Sequence, residues 1–307
     1  MSSSIDASRH HPAISVAAVL EASPEHDEAP VLVEVFTDPF SAWCWGNQPD
    51  WVKLCETFGS FLQVRFRMVG LIRDTASGER LGGGLSDPHR MAMQWEEIAH
   101  LTRMPLDADR WLEAPPMTSW PACAAIAAAL AADPVGGELY LRRCREAVIC
   151  HRKDLADATE LLELAGACDL DVDRLARDLE SGAAGALFKA DLDRAAALGG
   201  VSCPTYHFSG GGGVVTVRGS RPFQALVAAL SEAYDDALPL LADPADVENR
   251  SAYARSLASA RGSITVAEFA TLLDIEPGDA ADFLDRQCAG GNLVRQKIGR
   301  VSLYSAP

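Results

Sequence analysis

The chain has 307 residues, 48% of them hydrophobic and 23% charged, with a formal net charge of −16. That length makes more than one compact unit the expectation, each able to bury a core. The acidic balance argues against broad nucleic-acid or membrane-surface binding, where clustered Lys and Arg are rewarded. No apolar run approaches the roughly 20 residues that span a bilayer.

Residues 1–29 are Ser-, His- and Glu-containing, with one short apolar stretch at 14–20 that meets Glu21 at once. Without a basic segment before it, that stretch reads as part of a flexible lead-in, not a signal peptide, and the chain is expected in the cytoplasm. Eight cysteines stand at 44, 55, 123, 144, 150, 168, 203 and 288. None forms a Cys-x-x-Cys pair and no Cys/His ladder has zinc spacing, so no metal is expected. In a reducing compartment most should be buried thiols with packing roles.

Val31–Thr37 is a β-branched apolar run of the kind a buried strand needs, and Asp38-Pro39 breaks it. Trp43, Trp51, Leu54, Cys55 and Phe58 then recur at helical spacing up to Gly59, and residues 61–71 alternate as a second strand. Strand, helix, strand predicts a βαβ unit with parallel strands. From Pro88 to about Gly182 the pattern turns helical, with helices predicted over 91–102, 121–132, 137–150 and 158–165. Strands follow at 205–208 and 214–218 around a glycine turn, and a helix over 222–235 closes the unit. This pattern predicts one α/β domain with a helical domain inserted in it.

Residues 238–246 (LPLLADPAD) read as a linker. Beyond it, Thr265 and Glu268 have capping-box spacing, a second helix starts at Pro277, and residues 293–298 and 301–304 flank Gly299 as a hairpin. Helix, turn, helix, hairpin is the outline of a winged helix. Its second helix sets Asp279, Asp282 and Asp285 against Arg286, a poor match to phosphate, whereas the hairpin offers Arg295, Lys297 and Arg300. Dimerisation or protein docking through this unit is therefore favoured over DNA reading.

Two short segments carry the chemistry. In Thr37-Asp-Pro-Phe-Ser41-Ala-Trp-Cys44-Trp-Gly46, a thiol enters the first turn of a helix. Unpaired backbone amides and the helix dipole there favour thiolate, the nucleophilic form. In Gly199-Gly-Val-Ser-Cys203-Pro204-Thr205, a proline stands directly before a strand, a setting that suits a cis bond.

TDPFSAWCWG resembles the active-site segment of the DsbA family, particularly its FrnE-like cytoplasmic branch, and GVSCPT resembles that family's cis-proline loop. The segments WEEIAHLTRMPLD, APPMTSWPACAA and LRRCREAVICHRKDLADATELLELA resemble its inserted helical domain, so the likeness covers roughly residues 30–236. It implies a thioredoxin-like domain over 30–72 and 184–237 and a helical insert over 73–183, while the pattern beyond it places a linker over 238–248 and a winged-helix-like domain over 249–307.

One departure matters. The attacking cysteine's position holds Ser41, and the resolving position keeps Cys44. A serine hydroxyl is too poor a nucleophile to run that cycle. The resemblance places Cys203 against the start of the active-site helix, which makes Cys44 and Cys203 a candidate redox pair, with Ser41 as a hydroxyl donor. Pro204, Trp43, Trp45, Trp120 and Cys123 are carried as candidate substrate-binding residues. Of Trp43 and Trp45, one should pack in the core and the other line the cleft. Cys123, were it to join Cys44 and Cys203, would complete a soft-metal site, but core packing is the favoured reading for it and for the other cysteines.

Three functions follow. The first is a thiol–disulfide oxidoreductase variant acting on a protein or low-molecular-weight thiol. The second is a non-catalytic adaptor or thiol- or soft-metal-responsive regulator working through the C-terminal domain, since some FrnE-like relatives act as protease adaptors. The third is a kappa-like glutathione transferase or isomerase using Ser41, with glutathione as co-substrate.

Overall fold

The computed structural model describes residues 31–74, 79–80, 87–235, 238, 243–299 and 301–307. The lead-in over 1–29, residues 239–242 of the 238–246 stretch and Arg300 lie outside the described residues.

Strand β1 (Val31–Thr37) leads into a short helix α1 (Ala42–Gly46), which passes through Asn47 into α2 (Gln48–Phe58). Strand β2 (Leu62–Met68) then pairs parallel with β1, Val31 beside Leu62 and Thr37 beside Met68. The second strand stops short of the expected Leu71 because Gly70 turns the chain at φ +62°. A Cβ there would stand 2.8 Å from both Phe188 and the Trp120 ring nitrogen. A two-stranded ribbon follows, β3 (Ile72–Asp74) with β4 (Glu79–Arg80).

The insert continues through α3 (Pro88–Thr102), α4 (Arg110–Glu113), α5 (Trp120–Ala132), α6 (Pro134–Ile149), α7 (Ala158–Gly166) and α8 (Val172–Glu180). Helix α5 is apolar on every face, as a helix at the centre of a bundle must be. Its alanines let α6 cross closely: a Cβ on Gly137 would lie 2.7 Å from the Leu130 backbone. Helix α9 (Ala183–Ala197) returns the chain to the sheet, where β5 (Thr205–Gly210) and β6 (Gly213–Arg218) complete the strand order β2-β1-β5-β6, both antiparallel to their neighbours.

Alternation along β1 divides the two faces of this sheet. Val31, Val33 and Val35 enter a core with Trp51, Leu54 and Phe58 of α2 and Leu226 and Leu230 of α10 (Phe223–Ala233). Phe36 points the other way, to Ala195 of α9. On that same side Glu34 takes ion pairs from Arg67 and Arg194. The fold is a thioredoxin-type α/β sheet with a helical insertion.

The C-terminal part comprises α11 (Arg250–Arg261), β7 (Ile264–Thr265), α12 (Val266–Leu273), α13 (Pro277–Ala289), β8 (Val294–Ile298) and β9 (Val301–Ser305), the strands forming one sheet in the order β7-β9-β8. Thr265 and Glu268 form the capping box of α12. This unit does not stand apart. Val52 of α2 belongs to its core, and three ion pairs fasten it to the rest: Arg142–Glu268 at 2.7 Å, Arg261–Glu56 at 2.9 Å and Lys53–Asp274 at 2.6 Å.

Candidate functional site

The site forms where β1 ends and α1 begins, opposite the loop before β5. Asp38 anchors it. Its fully buried carboxylate accepts from the Phe40 and Leu71 amides at 2.8 and 2.6 Å, from Ser119 Oγ at 2.8 Å and from Cys123 Sγ at 3.3 Å. Burial pushes the Asp38 carboxyl up despite these donors. The residue thereby ties both parallel strands to the first turn of α5. In the sequence it signals only a strand breaker.

Ser41 is the N-cap of α1, its Oγ accepting from the Cys44 amide at 3.2 Å. Cys44 is 4% exposed. Burial alone would raise its thiol, but a hydrogen bond from Cys203, the charge of Arg145 and hydrogen bonds from Ser41 and Thr37 outweigh it and bring the thiol down to about 6. With α1 only five residues long, side chains and not a long helix dipole hold the thiolate.

Cys203 is half-buried, and the peptide bond to the buried Pro204 is cis. Burial first, then its hydrogen bond to Cys44 and the negative charge there, push the Cys203 thiol well up. The proton of the pair therefore sits on Cys203, which donates to the Cys44 sulfur. Both cysteines are free thiols.

Arg145 was not legible as a site residue. It lies on α6, buried, and donates through one terminal nitrogen to Thr37 Oγ1 and through the other to Gln48 Oε1 at 3.4 Å. Its Nε has no partner. No carboxylate among the described residues lies within ion-pair distance of it, and the Cys44 thiolate is its leading source of opposite charge. A buried guanidinium needs such a partner.

A cavity of about 410 Å³ opens beside this group, lined by Ser41, Trp43 and Cys203 together with apolar side chains such as Phe40, Trp95 and Trp111. Cys44 is not in the wall. Trp43 takes the cleft position and Trp45 the core position, so Trp45, carried as a candidate substrate-binding residue, does not line this cavity. Trp45 is fully buried, its Nε1 donating to the Pro105 carbonyl at 2.7 Å, with the Arg142 guanidinium 5.2 Å from its ring. Trp120 and Cys123 also stand away from the cavity wall. Trp120 packs edge-on against Phe188 and donates to the Gly70 carbonyl. Cys123 is fully buried beside Asp38, which together with burial keeps it a thiol. No cluster of three His, Cys, Asp or Glu suited to a metal occurs among the described residues.

A parallel β1-β2 pair followed after a helical insertion by antiparallel β5 and β6, with a cysteine before a cis-proline facing the first helix, defines a thioredoxin-fold protein with a helical insertion. The structure of the cytosolic disulfide reductase DsbM from Pseudomonas aeruginosa shares this fold, with a TM-score of 0.51 and 23% identity, covering 64% of this chain and 97% of that one. A family profile described as thioredoxin matches residues 35–227, and the chain belongs to that family. It is also similar to the ClpXP adapter protein SpxH of Bacillus subtilis (strain 168), 29% identical over 185 residues, 60% of each chain. The protein of the same name from Shouchella clausii (strain KSM-K16) is 25% identical over 266 residues, 84% of each. The chain thus spans less than two thirds of the length of the Bacillus relative.

Proposed function

We propose that this chain is a cytoplasmic thioredoxin-fold adaptor that seats a protein segment in the cleft beside the Cys203–Pro204 loop. One observation carries the reading: Ser41, in place of the attacking cysteine, lines the cavity, while Cys44 is buried and absent from the wall. A disulfide cycle through Ser-x-x-Cys is closed chemically, and its remaining sulfur is shielded. What the cleft offers is apolar surface. The insert that builds it also exposes Met93, Leu101, Leu112 and Met117, the kind of side chains that mark protein-binding surfaces. Relatives named as ClpXP adapters agree with this reading.

Purified full-length chain tests it in two measurements, binding to purified ClpX from the source organism and glutathione-driven reduction of insulin. The expected result is saturable ClpX binding that Ser41→Ala leaves unchanged, with insulin reduction no faster than in buffer. Insulin reduction that disappears in Cys44→Ser, together with no ClpX binding, overturns the proposal.

A second reading rests on the thiol pair itself. The Cys44 thiolate and the Cys203 thiol together could reduce a small disulfide. An S–S bond would form between them, the substrate's S–S bond would break, and the substrate would leave as one thiol and one thiolate. Against the glutathione-transferase alternative stands the Ser41 hydroxyl, already engaged with the Cys44 amide and sulfur. In the C-terminal unit Arg295 is paired with Asp285 at 2.9 Å, which leaves the hairpin less charge for DNA and favours protein docking.

A further inference from the structure

A second cavity, of about 240 Å³, lies where α6 of the insert meets α11 of the C-terminal unit, and three buried arginines stand in its wall. Arg142 donates through all three of its nitrogens, to Glu146 and Glu268. Arg145 and Arg261 are less well served. The terminal nitrogens of Arg145 donate to Thr37 and Gln48, and one terminal nitrogen of Arg261 donates to Glu56. The Nε of each has no partner among the described residues. These arginines are 3% and 6% exposed, so two cationic donors sit out of bulk water with a hydrogen bond still to make. Toward solvent the same wall turns acidic. Asp133, which caps α6, and Asp169, between α7 and α8, are both exposed. Glu138 is half-buried, and its carboxylate makes no hydrogen bond or ion pair among the described residues. Glu138, Arg142 and Arg145 follow at i, i+4 and i+7 on one stripe of α6, which sets the Cα atoms of Glu138 and Arg145 about 10 Å apart.

The cavity thus has a cationic floor and an acidic rim. A plain anion meets the rim carboxylates on its way in, and a plain cation meets the guanidiniums at the bottom. We propose that this cavity binds a small zwitterion, a carboxylate joined to an ammonium by a short aliphatic chain. Its carboxylate accepts from Arg145 and Arg261, and its ammonium donates to Glu138 near the Asp133 and Asp169 rim. Guanidinium–carboxylate hydrogen bonds are charge-assisted and among the strongest a protein makes. The aliphatic chain lies against Val135 and Leu139, which share the wall. Because Arg145 belongs to the insert and Arg261 to the C-terminal unit, the ligand fastens one to the other. The site is separate from the cleft beside Cys203.

The probe is ε-aminocaproate, with caproate and hexylamine as its two halves. Full-length protein is titrated by isothermal calorimetry in buffer above the Glu138 value of about 7, so that this carboxylate is charged. The arginine Nε–H signals are followed by NMR, assigned with Arg145→Lys and Arg261→Lys. The expected result is saturable binding at least tenfold tighter than that of either half, with both Nε–H signals displaced. Glu138→Gln, at a side chain that makes no hydrogen bond in the fold, should weaken the zwitterion at least tenfold and leave caproate as it was. Absence of saturable binding overturns the proposal. So does caproate binding as tightly as the zwitterion, or binding that leaves both Nε–H signals in place. None of these readouts needs a protein partner, so the adaptor reading stands or falls separately.

Discussion

Replacing Arg145 by methionine keeps much of the side chain's bulk and deletes its charge. In the native fold the guanidinium donates to Thr37, and Thr37 in turn bonds the Cys44 sulfur, so the charges stand two hydrogen bonds apart, about 6 Å. At an effective dielectric of about 20, a unit pair at that distance is worth about 3 kcal/mol, or about a hundredfold in proton affinity. The Cys44 thiol, held at about 6, should therefore rise to about 8 in Arg145→Met. At neutral pH the thiolate fraction would drop from roughly nine-tenths to roughly one-tenth. The sign follows from an acid whose folded value is depressed: its charge is present above that value and lost as pH falls through it. The assay is the rate of iodoacetamide labelling of the Cys44 peptide against pH, read by mass spectrometry. Arg145→Lys, which retains a cation, should recover part of the shift. A midpoint still near 6 in a well-folded Arg145→Met protein would refute the assignment of Arg145 as the thiolate's counter-charge. Stability obeys the same linkage: the contribution of Cys44 is complete above the ordinary thiol value of about 8.5 and is lost as pH falls through about 6.

Two further outcomes are expected. Ser41→Ala removes the N-cap of α1, which should lower stability by about 1 kcal/mol in urea unfolding, and it should also raise the Cys44 midpoint. Glu268→Ala removes one of the two carboxylates that pair with the buried Arg142 guanidinium, leaving Glu146, and breaks the capping box at once. It should cost about 1–3 kcal/mol, measured as a fall in both Tm and urea midpoint, because charge-assisted hydrogen bonds of a buried guanidinium are lost.

Much of the architecture was readable because its signals are local. The Val31–Thr37 strand appears whole as a β-branched run, and the capping box at Thr265 is a spacing of three residues. The Cys203–Pro204 segment could be matched to Cys44 through resemblance, since both motifs are short and correctly ordered. The thiol's strongest ionic partner was out of reach. Arg145 stands 108 residues from Thr37, in a helix where one arginine among several looks like an ordinary solvated charge. Only packing reveals that it is buried without a carboxylate. Trp45 shows the same limit: two indoles flank Cys44, and which one faces the cleft depends on how α1 lies against Pro105. The 238–246 stretch suggested a tether, whereas Pro244–Asp246 forms a 3₁₀ turn with Pro244 buried.

The seating of the C-terminal unit on α2 makes it a wall of the thioredoxin domain and not a passenger. Val52 is 1% exposed because that unit covers it, and Glu56 and Lys53 on the same helix find their partners there. A chain cut short near residue 238 would bare an oily scar studded with stranded charges, one turn of helix after another downstream of the thiol. Evolution could not discard this appendage without rewriting the surface of the helix that carries the active-site turn.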